Sequence, residues 1–214
     1  MRVVYSSARP FVRLLMSVAI IVALSAQFQL AITRGNFVKL NFFSFFTVES
    51  NVAAAFVLIA LEFKPESSLG RLAVVIRPAV TLYMTMTGVI YAVLLAPASA
   101  DVGLTAQWVD VIVHEIGPLV VFADWVLAAP ERRPALRDIG DWLIFPVVYI
   151  GYSLVRGPIV NWYPYPFLDP NLDGGAAKVV ITIIVLVPCV LVLAVVLVKL
   201  ASLGRPDPAV AETD

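Results

Sequence analysis

Lys178-Val179-Val180-Ile181-Thr182-Ile183-Ile184-Val185-Leu186-Val187-Pro188-Cys189-Val190-Leu191-Val192-Leu193-Ala194-Val195-Val196-Leu197-Val198-Lys199 carries twenty consecutive residues without a charge between its two lysines. In a helix rising about 1.5 Å per residue, that run matches the roughly 30 Å hydrocarbon core of a bilayer. Thr182, Pro188 and Cys189 are its only irregular positions and form no polar stripe, so the segment 177–199 reads as a lipid-facing membrane helix. Working back from it, five more apolar segments stand at 11–33, 42–63, 72–96, 108–129 and 137–158. The expected fold is all-α: a polytopic membrane protein built as a bundle of six transmembrane helices.

Composition agrees with that reading. Of the 214 residues, 61% are hydrophobic and 14% charged, against roughly 45–50% and about 25% in soluble domains, and mean hydropathy is +0.93. A soluble globular protein is excluded. Fifteen Lys and Arg balance fifteen Asp and Glu, which removes the charge excess that a nucleic-acid partner calls for. His114 is the only histidine and Cys189 the only cysteine. A haem held by two histidines, a thiolate or His-rich metal site and an intrachain disulfide are therefore not expected, and no cofactor is implied. The connections are too short for a soluble domain, so residues 1–204 form one six-helix domain and 205–214 a short polar tail expected to fray.

Eleven of the fifteen cationic residues fall on the side shared by the N-terminus, the second and fourth loops and the C-terminus. By the positive-inside rule both termini are cytoplasmic, which suits a bacterial plasma membrane. The first segment also has features of a secretory signal, with Arg2, Arg9 and Arg13 ahead of an apolar stretch and Ser25-Ala26 near its end. Its apolar run continues through Phe28, Leu30, Ala31 and Ile32, which is longer than an ordinary signal core.

Ionisable groups inside spans normally face the bundle interior and are paired. Asp110, His114, Gly117 and Asp124 share one face of the fourth span by helical spacing, and Asp141, Phe145, Tyr149, Tyr152 and Arg156 share one face of the fifth. The second span offers Ser44, Thr47, Ser50 and Asn51, and the third Thr87 and Tyr91. By depth, Thr47 and His114 both lie about 8–9 Å below the outer boundary. Tyr91, Tyr152 and Arg156 reach a similar layer. Pro118, four residues after His114, cannot donate to its carbonyl, so a kink is expected there; it either opens a pocket beside the histidine or is an ordinary membrane-helix bend. Asp124 and Asp141, toward the cytoplasmic end with Arg77, read as an ion-pair lock. Glu49 and Glu115 fall off the stripes and receive no role.

Three strings resemble the bacterial branch of the androgen-induced-gene family of membrane proteins: Asn41-Phe42-Phe43-Ser44-Phe45-Phe46-Thr47-Val48-Glu49-Ser50-Asn51, then His114-Glu115-Ile116-Gly117-Pro118 continuing to Asp124-Trp125, then Trp162-Tyr163-Pro164-Tyr165-Pro166-Phe167-Leu168-Asp169. The resemblance covers nearly the whole chain. It implies six helices and an intramembrane threonine hydrolase, since animal members cleave fatty acid esters of hydroxy fatty acids. The family's nucleophile matches Thr47 and its histidine matches His114. The sequence departs from the animal members at Val48-Glu49-Ser50-Asn51 and in the Tyr-Pro-Tyr-Pro-Phe-Leu-Asp loop.

Residue chemistry points the same way. A threonine hydroxyl needs a base to take its proton, and histidine is the usual one. Asp110, one turn outward, is placed to orient the ring. Asn51, Tyr152 and Arg156 are the candidate oxyanion donors, and Arg156 also suits the anionic head of a lipid, a partner such as Asp169, or simple snorkelling. The expected function is hydrolysis of a lipid ester, with the bilayer and that ester as partners and oligomeric state left open. The competing reading is a non-enzymatic transporter or lipid-binding module. No internal repeat supports a transporter, and no Gly-x-Ser-x-Gly-like nucleophile turn supports a serine-type intramembrane protease.

Overall fold

The computed structural model describes residues 2–33, 38–64, 66–96, 106–128 and 130–202. The tail 205–214 and most of the third loop lie outside the described residues. Every element described is helical: α1 (Arg2–Thr33), the single turn α2 (Lys39–Phe42), α3 (Phe46–Phe63), a 3₁₀ stretch (Glu66–Val74), α4 (Ile76–Ile90) with a π turn after it (Tyr91–Leu95), α5 (Gln107–Val111), a π turn (Ile112–Ile116), α6 (Gly117–Leu127), α7 (Ile139–Val160) and α8 (Gly175–Ser202). Among these residues five helices are long and apolar enough to cross a membrane: Ser7–Thr33, Phe46–Phe63, Ser68–Leu95, Leu136–Val160 and Gly175–Ser202. The fourth segment read from the sequence is helical from Gln107 to Leu127 but is divided by the π turn into pieces shorter than a span.

α4 is the central element. Residues 77–84, Met86 and Thr87 are all buried, because α3, α6, α7 and α8 pack around it. Most of its buried side chains are apolar; Thr81 and Thr85 each donate to the carbonyl four residues back, at 2.9 and 2.7 Å, while Tyr83 donates to the Trp142 carbonyl and Thr87 bonds Ser50 on α3. α1 buries only one face, through Arg13, Met16, Ser17, Ile20 and Ala23. α8 is mostly exposed and packs through Val190, Ala194, Leu197 and Ala201, a stripe at four- and three-residue spacing.

At the end of the bundle away from Thr47, two buried arginines converge on Asp124. Arg13 forms a fork with it at 2.9 and 3.0 Å, Arg77 reaches it at 2.9 Å, and the Tyr5 hydroxyl donates at 2.7 Å. Glu62 accepts from Arg13 Nη1 at 2.9 Å and Glu66 from Arg77 Nη1 at 2.5 Å. The expected lock between Asp124 and Arg77 is thus present. Asp141 is not part of it, pairing instead with the exposed Arg71 at 2.6 Å.

α7 ends at Asn161, whose φ of 48° is the left-handed conformation that asparagine tolerates at a helix end. The chain then folds back so tightly that a Cβ on Gly157 would sit 2.0 Å from the Tyr163 ring. Gly157→Ala is therefore expected to lift the loop that carries Tyr165, with a stability loss of about 1–3 kcal/mol. Thermal unfolding in detergent, compared with the exposed control Gly151→Ala, checks this.

Candidate active site

The second membrane segment breaks after α2. Ser44 donates to the Leu40 carbonyl at 2.5 Å, Phe45 is extended, and α3 restarts at Phe46 with no cap from its own neighbours. Exposed N–H groups at a helix start need acceptors, all the more inside a membrane. Two tyrosines supply them from elsewhere in the fold: the Tyr149 hydroxyl accepts the Phe46 N–H at 3.3 Å and the Tyr165 hydroxyl accepts the Thr47 N–H at 3.1 Å. Thr47 is thereby fixed in the first turn of α3, at the partially positive end of the helix dipole.

His114 Nε2 lies 3.2 Å from Thr47 Oγ1, and its Nδ1 lies 2.8 Å from Asp110 Oδ1. The other Asp110 oxygen accepts the Tyr91 hydroxyl. As a carboxylate Asp110 only accepts, so the imidazole proton belongs on Nδ1 and the Nε2 lone pair faces Thr47. The hydrogen bonds then run in one direction: Thr47 O–H to His114, and His114 N–H to Asp110. Tyr91 also stacks on the imidazole, with ring centroids 4.2 Å apart and planes within 8°, which fixes the ring's plane as well as its partners. The approach of α4 that allows this depends on Gly88, where a Cβ would meet Pro118 at 2.9 Å.

The π turn explains Asn51. Gly117 N–H bonds to the Ile112 carbonyl, five residues back, so Val113 loses its α-helical donor. Its π-helical donor would be Pro118, which has no N–H. The Asn51 amide donates instead to the Val113 carbonyl at 3.1 Å, and its second hydrogen goes to the Thr47 carbonyl at 2.9 Å. The carbonyl that the π turn and Pro118 together leave without a helical donor is that of Val113, not that of His114 alone as the α-helical count has it, and a neighbouring amide serves it. Gly117 is required at this point, since a Cβ there would sit 2.8 Å from the Ile112 carbonyl oxygen.

Three of the residues read from sequence are therefore brought together: Thr47, His114 and Asp110. The three candidate oxyanion donors make other contacts. Both Asn51 hydrogens are engaged on carbonyls. Tyr152 is 42% exposed and bonds Ser44 Oγ at 2.8 Å. Arg156 donates to Asn41 Oδ1 at 2.5 Å and lies over the Trp162 ring at 5.5 Å. The pairing of Arg156 with Asp169 is replaced by these two contacts, because the tight turn after Asn161 carries Asp169 into its own turn with Asn171.

Compared with known proteins, the chain matches no family model, no curated protein and no solved structure.

Tyr165 is the residue that sequence reasoning left without a role. Its hydroxyl lies 3.3 Å from Thr47 Oγ1 while accepting the Thr47 N–H, so its own proton is available to an oxygen at Thr47. Burial pushes this phenol above the ordinary tyrosine value, keeping it a proton donor. The signal was present in the Tyr163-Pro164-Tyr165-Pro166 string, in which prolines stiffen a loop that holds its aromatic rings in place. Beside Thr47 and Tyr165 opens an apolar cavity of about 190 Å³, walled by Met86, Leu143, Val147, Leu168, Val187 and Leu191 among others. It reaches the space between α7 and α8, where Val147 and Leu191 are exposed on the surface that a bilayer would cover. Among the described residues no group of three or more His, Cys, Asp or Glu side chains is placed to hold a metal ion.

Proposed function

We propose that this protein is a six-span intramembrane hydrolase of lipid esters and a member of the family its motifs resemble. The observation that carries the reading is the imidazole of His114 bridging the Thr47 hydroxyl at 3.2 Å and the Asp110 carboxylate at 2.8 Å, the arrangement that activates a hydroxyl nucleophile. The apolar cavity against Thr47 suits an acyl chain.

In this reading Thr47 Oγ adds to the ester carbonyl carbon as its proton passes to His114 Nε2. Asp110 holds the resulting imidazolium, and the Tyr165 hydroxyl turns from Thr47 to the new oxyanion. Collapse expels the alcohol oxygen, which takes the proton from Nε2 and leaves an acyl-threonine. Water then gives a proton to the same nitrogen and adds to the acyl carbon. Thr47 leaves with that proton, and a fatty acid is released. Nε2 must carry a lone pair to accept the Thr47 proton, so the mechanism requires the neutral imidazole. Tyr165, held as a neutral donor, sets no alkaline limit near neutrality. Turnover of a panel of lipid esters by the protein in nanodiscs, followed as a function of pH, tests both statements. The absence of turnover with every ester would favour the lipid-binding module, which needs the same cavity but not the hydrogen-bonded chain.

The proposed topology places both termini in the cytoplasm of a bacterial plasma membrane and the Thr47 layer in the outer leaflet. In a Cys189→Ser background, Asn171→Cys is expected to react in intact cells with a membrane-impermeant thiol reagent and Lys64→Cys to stay unlabelled. The opposite pattern inverts the topology.

A further inference from the structure

On the face opposite the Thr47 layer, after the full length of α3 or about 25 Å along its axis, the 3₁₀ stretch Glu66–Val74 and the loop before α7 border a second cavity, open on one side, of about 420 Å³. Its wall carries four arginines, Arg71, Arg132, Arg133 and Arg137, against one carboxylate, Asp138. All four arginine residues are exposed. Asp138 is buried and accepts the Ala135 N–H at 2.7 Å, which closes the loop on itself. The Trp142 indole donates to the Val74 carbonyl at 2.9 Å, pinning the opposite wall. Asp141, just outside, pairs with Arg71 at 2.6 Å, but the Arg71 side chain is 76% exposed, so water weakens the pair. Among the described residues neither Arg132 nor Arg137 has a carboxylate within ion-pair distance.

The positive-inside rule accounts for cations on one face of a membrane protein. It does not account for their convergence on one concavity with fixed walls, nor for the use of Arg at every cationic position there. A guanidinium presents a planar fork that matches two phosphate oxygens, whereas an ammonium acts as a point charge. We propose that this cavity is a binding site for a phosphate group, and that the phosphate is the headgroup of an anionic phospholipid. The lipid is favoured over a soluble phosphate because the cavity lies where the apolar helices α3, α4 and α7 end, at the level of the headgroups.

The test uses the intact protein in equimolar phosphatidylglycerol and phosphatidylcholine vesicles, with retained lipid measured by native mass spectrometry after extraction. Wild-type protein is expected to retain phosphatidylglycerol in excess. With each arginine near a membrane surface worth about fivefold, R132Q/R137Q is expected to lower the phosphatidylglycerol to phosphatidylcholine ratio by about 25-fold. R132K/R137K, which keeps charge but loses the fork, is expected to fall between the two, and it carries the test if the glutamine pair does not fold. Equal retention of both lipids by wild type, or an unchanged ratio in both variants, overturns the site. Phosphatidylglycerol displaced by millimolar inorganic phosphate, with a matching rise in Tm from phosphate alone, overturns the lipid as its source. None of these outcomes depends on ester hydrolysis.

Discussion

Thr47→Ala is expected to bring ester hydrolysis to background, and His114→Ala to lower kcat by about 10⁴-fold or more, because among the described residues His114 Nε2 is the base within hydrogen-bond distance of the hydroxyl. Asp110→Asn should approach the same loss. An amide beside Nδ1 can donate to it, shifting the imidazole proton to Nε2 and leaving no lone pair for Thr47. Tyr165→Phe removes one donor to the oxyanion and is expected to cost about 10²–10³-fold in kcat. Ser50→Ala serves as the control. Ser50 bonds the Thr47 carbonyl at 3.2 Å and Thr87 at 2.9 Å, without touching the Thr47 hydroxyl, so its removal should leave turnover near wild type. Single-turnover kinetics on one ester across the set separate these effects, since a merely structural histidine would not give matching losses at Thr47, His114 and Asp110.

The second large effect is on stability. Asp124→Ala leaves two guanidiniums, Arg13 and Arg77, buried and short of a counter-charge, while the Tyr5 hydroxyl loses its acceptor. Removing one partner from a buried ion pair costs about 3–5 kcal/mol, and here three elements, α1, α4 and α6, are tied through the one carboxylate. Denaturant unfolding in detergent should show a midpoint far below wild type. Arg71→Ala, which breaks the exposed pair with Asp141, should change it by about 1 kcal/mol or less.

Helical periodicity made Thr47, His114 and Asp110 legible in the sequence, because side chains four apart on one helix share a face and depth can be counted from a span's end. The same counting placed Tyr91 near the histidine, where its ring now stacks. Periodicity carries no information about a loop that folds back, so the Tyr163-Pro164-Tyr165-Pro166 string marks a stiff aromatic loop without showing that Tyr165 meets Thr47. The contacts of Asn51 are hidden for another reason. Its amide serves the Val113 carbonyl only because a π turn and Pro118 together deprive that carbonyl of donors, a register change that a 3.6-residue repeat cannot express. The division of residues 107–127 into three helical pieces has the same origin. In the sequence Arg13 counts only toward topology and the secretory-signal pattern, although its spacing on α1 with Met16, Ser17 and Ile20 marks the buried face.

The central claim is that His114 activates Thr47. A fluorophosphonate carrying a long alkyl chain adds covalently to an activated hydroxyl and not to one that only bonds its own helix. After reaction with the intact protein in nanodiscs, peptide mass spectrometry is expected to find the adduct on Thr47, absent in Thr47→Ala and strongly reduced in His114→Ala. An adduct on another residue, or undiminished labelling in His114→Ala, would contradict the account.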